Sequence, residues 1–78
     1  MKISVNLYGG LGKYSKEGKR KHNLLKVSGK TGVKDIIDIL QIPEEEVRII
    51  MVNGIHESLN YELSENDKLS FFPLIFGG

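Results

Sequence analysis

Helical periodicity occurs once in this chain, with strand-like segments on both sides of it. Val33, Ile36, Ile37 and Leu40 recur at i, i+3, i+4 and i+7, the spacing of a single apolar helix stripe. Thr31 reads as the N-cap, and Pro43 requires the helix to stop early because it pushes residue 42 out of the helical region. Upstream, Ile3, Val5 and Leu7 alternate with Lys2, Ser4, Asn6 and Tyr8, the pattern of a half-buried strand. Residues 9–21 are polar and glycine-broken, hence a loop. A second strand is expected over residues 22–28, with Leu25 and Val27 on one face. Downstream of a short turn at 44–46, residues 47–52 are almost continuously apolar and read as a strand covered on both faces or lying under the helix. Asn53-Gly54 is the strongest hairpin signal, leading into a short edge segment at 55–58. The polar run Ser64-Glu65-Asn66-Asp67 turns the chain into a last strand over 68–73.

One helix cannot cover two sheet faces. The expected architecture is therefore α+β, with the helix on one face of a mixed sheet of four to five strands and the other face open to water. If the first and last strands are neighbours, Ile3, Val5, Leu7, Leu69 and Phe71 point at the helix, with Ile36 and Phe71 facing each other. Tyr8, Phe72 and Lys68 then lie on the open face. Two aromatics there, close to an apolar tail, suit a docking surface, and truncating Phe72 is expected to leave stability nearly unchanged. Single surface aromatics are also ordinary features of soluble proteins.

With 78 residues the chain is one domain, too small for both a deep substrate cavity and a self-sufficient core. It has no cysteine, so neither a disulfide nor a thiolate metal site nor a cysteine nucleophile is available. No apolar run approaches the ~20 residues of a membrane span, and the N-terminal residues read as strand rather than signal peptide. A cytoplasmic protein is expected. A net charge of +1 gives no global pull toward nucleic acid or membrane.

The sequence ends Leu74-Ile75-Phe76-Gly77-Gly78. Residues 1–73 are read as the folded domain and 74–78 as a flexible tail. A terminal Gly-Gly lets a backbone thread a narrow active site, since glycine lacks a Cβ and adopts torsions closed to other residues. Its carboxylate is a poor electrophile that adenylation by ATP would activate toward a sulfur or amine nucleophile. A frayed terminus is the plain alternative.

Other motifs carry less. Gly9-Gly10-Leu11-Gly12-Lys13-Tyr14 hints at a phosphate-cradling loop, but the G-x-x-x-x-G-K-[ST] spacing fails and no helix pattern follows. Lys13, Lys16, Lys19, Arg20 and Lys21 form a basic cluster best read as a solvated loop, with steering toward an acidic partner or toward nucleic acid as the functional alternatives. His22 and His56 stand too far from other ligand types to suggest a metal site, so none is expected.

The constellation as a whole resembles the β-grasp, ubiquitin-like sulfur carriers of the MoaD/ThiS family. The likeness rests on Val52-Asn53-Gly54, the acidic turn before Lys68, Phe71-Phe72-Pro73 and the terminal Gly77-Gly78. Phe-Phe-Pro and the hairpin resemble the small subunit of molybdopterin synthase in particular. The first half matches only in element order and in Leu7-Tyr8-Gly9. The resemblance implies a carrier that is not itself an enzyme and binds no cofactor. A partner of the ubiquitin-activating type would adenylate the carboxylate of Gly78 using MgATP, and a persulfide donor would convert it to a thiocarboxylate. A large synthase subunit would then receive the sulfur for the molybdenum or tungsten pterin. Gly77, Phe76, Ile75 and Leu74 would thread and seat the tail, while Phe72, Tyr8 and Pro73 would dock. Sulfur donation to thiamine thiazole or another pathway, conjugation to proteins and non-covalent binding remain the alternatives.

Overall fold

A computed structural model describes residues 1–15 and 21–73. Five strands form one mixed sheet in the order β2-β1-β5-β3-β4. They are β1 (Lys2–Leu7), β2 (His22–Lys26), β3 (Ile49–Val52), β4 (Ile55–His56) and β5 (Lys68–Phe72), with a single α-helix, α1 (Val33–Ile39), between β2 and β3. β1 and β5 are parallel at the centre, and the other pairings are antiparallel. The first and last strands are neighbours, which is the condition on which the assignment of inward-facing residues depended.

The strand alternation translates directly into two faces. Ile3, Val5, Leu7, Leu69 and Phe71 are at most 1% exposed and lie with Val33, Ile36 and Ile37 of α1 in one core. The Asn53-Gly54 turn has positive φ at both residues, 53° and 81°, the mirror-image turn whose twist suits a two-residue hairpin. Val52 accordingly pairs with Ile55.

Several local expectations need correction. Residues 9–21 are not simply a loop: Gly9–Tyr14 forms a 3-10 helix that drives Leu11 into the core at 1% exposure. Glycines obscured that turn, and one apolar residue without a periodic partner gave no signal. Thr31 is not the N-cap. Its Oγ1 donates to the Ser28 carbonyl at 2.9 Å, and Gly32 caps α1, its N–H donating to Asp35 Oδ2 at 2.8 Å. A Cβ on residue 32 would sit 3.2 Å from the Tyr61 carbonyl oxygen, which favours glycine there. The second strand is shorter than residues 22–28, ending at Lys26. The apolar run 47–52 is not covered on both faces: Val52 is buried toward the core, whereas Ile49 remains 39% exposed on the opposite face. The short turn expected at 44–46 is present, as a single turn of 3-10 helix.

Candidate functional site

The parallel pairing of β1 with β5 has a geometric consequence for the end of the domain. Both strands finish at the same edge, so Tyr8, just after β1, comes beside Phe72, the last residue of β5. Their rings stack with centroids 4.4 Å apart and planes 9° from parallel. Opposite Phe72 on β3 stands Ile49, and opposite Ser70 stands Met51. The open face therefore carries a small apolar patch, Tyr8, Phe72, Ile49 and Met51, at the point where the chain passes Pro73. Tyr8 and Phe72 are half-buried.

Two further residues fix this corner. Gly9 has φ +56°, and a Cβ there would meet Pro73 Cγ at 2.9 Å. Glycine thus serves both the torsion and the close approach that seats Pro73. Lys21 places its Nζ 4.2 Å from the centroid of the Tyr8 ring, a cation–π contact on the aromatic pair. Neither role was legible in the sequence, where Gly9 belonged to a glycine-rich run and Lys21 to a basic one. Lys68 also lies on the open face as expected, paired with Ser4.

A second feature stabilises the approach to β5. Asp67 is 6% exposed and its carboxylate accepts from Ser64 N (2.7 Å) and Asn53 Nδ2 (2.9 Å). Asn53 Oδ1 in turn accepts from Lys68 N at 2.9 Å. The hairpin turn and the acidic turn are therefore one hydrogen-bonded unit, which sets the start of β5 and hence the position of its end.

On the helix side, Tyr14 Oη donates to Glu46 Oε2 at 2.8 Å. That hydrogen bond, followed by slight desolvation and the nearby charges of Glu46 and Glu45, raises the Tyr14 pKa above the ordinary phenol value. His22 and His56 both lie on the open face. The first has Nδ1 2.5 Å from Asn6 Oδ1, and the second pairs with Met51. Among the described residues no group of three or more His, Cys, Asp or Glu is placed to hold a metal ion. Among them, too, no helix is long and apolar enough to cross a membrane. Leu74, Ile75, Phe76, Gly77 and Gly78, expected as the threading tail, lie outside the described residues, as do Lys16, Lys19 and Arg20 of the basic cluster.

A mixed five-stranded sheet gripping one helix, with the central strands parallel, defines a ubiquitin-like β-grasp protein. The chain belongs to the Mut7-C ubiquitin family, whose model matches residues 1–76. Among solved structures it is similar to SAMP1 from Haloferax volcanii, at 17% identity over 100% of both chains with a TM-score of 0.75. It is also similar to a putative molybdopterin converting factor subunit 1 from Pyrococcus furiosus, at 20% identity over 95% of this chain and 98% of that one, TM-score 0.71. A third likeness is to the complex of subunits 1 and 2 of the molybdopterin-converting factor from Helicobacter pylori. There identity is 25%, both chains are covered at 100% and the TM-score is 0.66. No functionally curated protein matches the sequence. These likenesses agree with the MoaD/ThiS resemblance, and the chain has the fold of the ubiquitin-like carriers and modifiers.

Proposed function

We propose that this chain is a sulfur carrier whose C-terminal glycine, Gly78, is adenylated and thiocarboxylated, and that it donates sulfur in molybdopterin biosynthesis. The observation that carries the reading is the end of β5. Phe72 stacks on Tyr8 and Pro73 packs against Gly9, so the sequence continues into its apolar segment and Gly77-Gly78 from a defined point beside an apolar patch. The likeness to molybdopterin-converting factor subunits supports the choice of pathway.

The chemistry asks little of this chain. A carboxylate oxygen of Gly78 attacks the α-phosphorus of MgATP held by an adenylating partner, and pyrophosphate leaves. The terminal sulfur of a persulfide donor attacks the acyl carbon and displaces AMP. A second thiol then cleaves the resulting acyl disulfide, releasing the thiocarboxylate and leaving a disulfide on the donor. A large synthase subunit would take the thiocarboxylate sulfur to the pterin precursor, and hydrolysis would return the carboxylate. The carrier is a consumed and recharged co-substrate, and the partners supply acid, base and metal.

Intact mass of the protein from its native host tests this directly. The expected species has Gly78 last and one oxygen replaced by sulfur. Deleting Gly78, or adding one residue after it, should abolish ATP–pyrophosphate exchange with the adenylating partner while preserving the fold. Exchange that persists in the deletion variant would refute the carrier reading. Loss of thiamine synthesis rather than molybdoenzyme activity in a host lacking the chain would move the sulfur to the thiazole pathway. Isopeptide-linked conjugates in the native host would make it a protein modifier.

A further inference from the structure

The strand side chains of the open face carry basic groups and no acidic one. The side chains that the strands present to the open face are Lys2, Ser4 and Asn6 of β1, and His22, Leu24 and Lys26 of β2. β3 adds Ile49 and Met51, β4 adds His56, and β5 adds Lys68, Ser70 and Phe72. The described carboxylates lie elsewhere: Asp35 and Asp38 on the helix, Glu44, Glu45 and Glu46 in the turn after it, and Glu57, Glu62, Glu65 and Asp67 outside the strands. Among these, Glu65 accepts the backbone N–H of Lys2 at 2.7 Å.

Within this face one place stands out. Leu24 is 78% exposed in the middle of an edge strand. It is paired across β1 with Ser4, whose other neighbour is Lys68, and one step away Lys26 and Lys2 are directly opposed. Like charges facing each other across strands cost stability, and so does an apolar side chain left in water. Beside Leu24, a hollow of about 300 Å³ is lined by Lys2, Ile3, Ser4, Leu24, Asn66 and Lys68. An exposed leucine with Lys2, Lys26 and Lys68 on the same face is unfavourable for the free domain and complementary to a carboxylate-rimmed apolar socket.

We infer that the Leu24 end of the open face is a docking site for an acidic surface on the partner that handles the tail. The identity of that partner rests on the carrier reading; the acidic, leucine-accepting chemistry does not. Lys68 and Phe72 are four residues apart on one strand, about 13 Å at ~3.3 Å per residue. An interface of ordinary size, about 800 Å² per partner, covers both ends of such a face. One partner therefore grips the Tyr8–Phe72 end, where the tail leaves, and the Leu24 end, which sets the rotation of the domain about the tail.

A protein fits better than a nucleic acid. Phosphates are matched best by arginine forks, and the strand residues of this face include none. Tyr8 already has Phe72 stacked on it and Lys21 placed over its ring, which leaves little of it for a base.

Amide chemical shifts of the full chain, titrated at low salt with a synthetic Glu- and Leu-rich helical peptide, test the site. Shifts should centre on residues 2–4, 24–26 and 66–68 and weaken steeply with salt. Leu24→Ser should reduce the peptide affinity at least fivefold, and so should the pair Lys2→Glu and Lys68→Glu. Lys34→Glu on the helix side should have little effect. Peptide shifts elsewhere, or none, would overturn the inference, as would a single-stranded RNA of equal charge shifting these residues more strongly than the peptide. With the adenylating partner, Leu24→Ser should raise KM for the carrier at least fivefold with kcat unchanged. An unaltered KM in an active assay would also overturn it. Absence of exchange with the wild type would instead count against the carrier reading, leaving the peptide result to decide the docking chemistry.

Discussion

Phe72→Ala is the substitution that best separates packing from recognition. Sequence alternation alone makes Phe72 a free surface ring whose loss costs nothing, and the structure changes that expectation. Its ring is half-buried and stacked on Tyr8 at 4.4 Å. Half-burial of a phenylalanine side chain contributes about 1 kcal/mol, and an offset aromatic pair adds about 0.5–1.5 kcal/mol beyond area. The expected loss is therefore about 1.5–2.5 kcal/mol, well short of the roughly 3–5 kcal/mol of a fully buried phenylalanine. For a domain of this size each kcal/mol moves the melting midpoint by about 4–8 °C, so a fall of about 6–20 °C is expected. Urea denaturation of Phe72→Ala, Tyr8→Ala and the double variant gives the pair energy. The coupling should be about 1 kcal/mol, inside the range for contacting residues. Additive single losses would mean that the rings do not stack in solution, and a Phe72→Ala loss beyond about 4 kcal/mol would place the ring in the core. Binding to a tail-handling partner should weaken by ~2 kcal/mol or more, as for a buried aromatic at an interface centre. Tyr8→Ala should weaken it less. Normal binding with an early melt would leave Phe72 a purely structural residue.

Ile36→Ala and Phe71→Ala, both 0% exposed in the shared core, should each cost about 2–5 kcal/mol by chemical denaturation, and a loss below about 1 kcal/mol at either would contradict the face assignment. Asp67→Ala leaves the Ser64 N–H and the Asn53 amide without their acceptor and should cost about 2–4 kcal/mol; a neutral outcome would show that the two turns are not one unit. Gly9→Ala combines a left-handed torsion with a 2.9 Å approach to Pro73 and should cost about 1–3 kcal/mol, with the largest amide shift changes at residues 71–73. In a spectrophotometric titration Tyr14 should ionise above the ordinary phenol value of about 10. Because its folded-state pKa is raised, its contribution to stability is complete below about pH 10 and disappears as pH rises through the folded value. Glu46→Gln should bring the ionisation back down, and an unchanged titration would remove the Tyr14–Glu46 bond.

By itself the sequence determined what repeats or terminates locally. Alternation in β1 and β5 settled which side chains turn inward, because successive strand residues point to opposite faces. The 3.6-residue stripe placed Ile36 and Ile37 against the sheet, and Asn53-Gly54 specified its hairpin because few residue pairs accept positive φ twice. Where a role depends on a neighbour remote in sequence, the pattern was silent. The parallel pairing of β1 with β5 is such a case, since it arises from the crossover of the whole chain, and it alone brings Tyr8 onto Phe72 and Gly9 under Pro73. Asn23 and Asp67 look like ordinary polar residues, yet they are buried because tertiary donors and acceptors await them. Asn23 accepts from Ser15 Oγ and donates to the Val5 carbonyl, while Asp67 ties two turns together. The basic open face belongs to the same class. Its lysines are spread over three strands, and only sheet formation gathers them onto one face with Leu24, while Asp35, Asp38 and the glutamates of the following turn lie off that face.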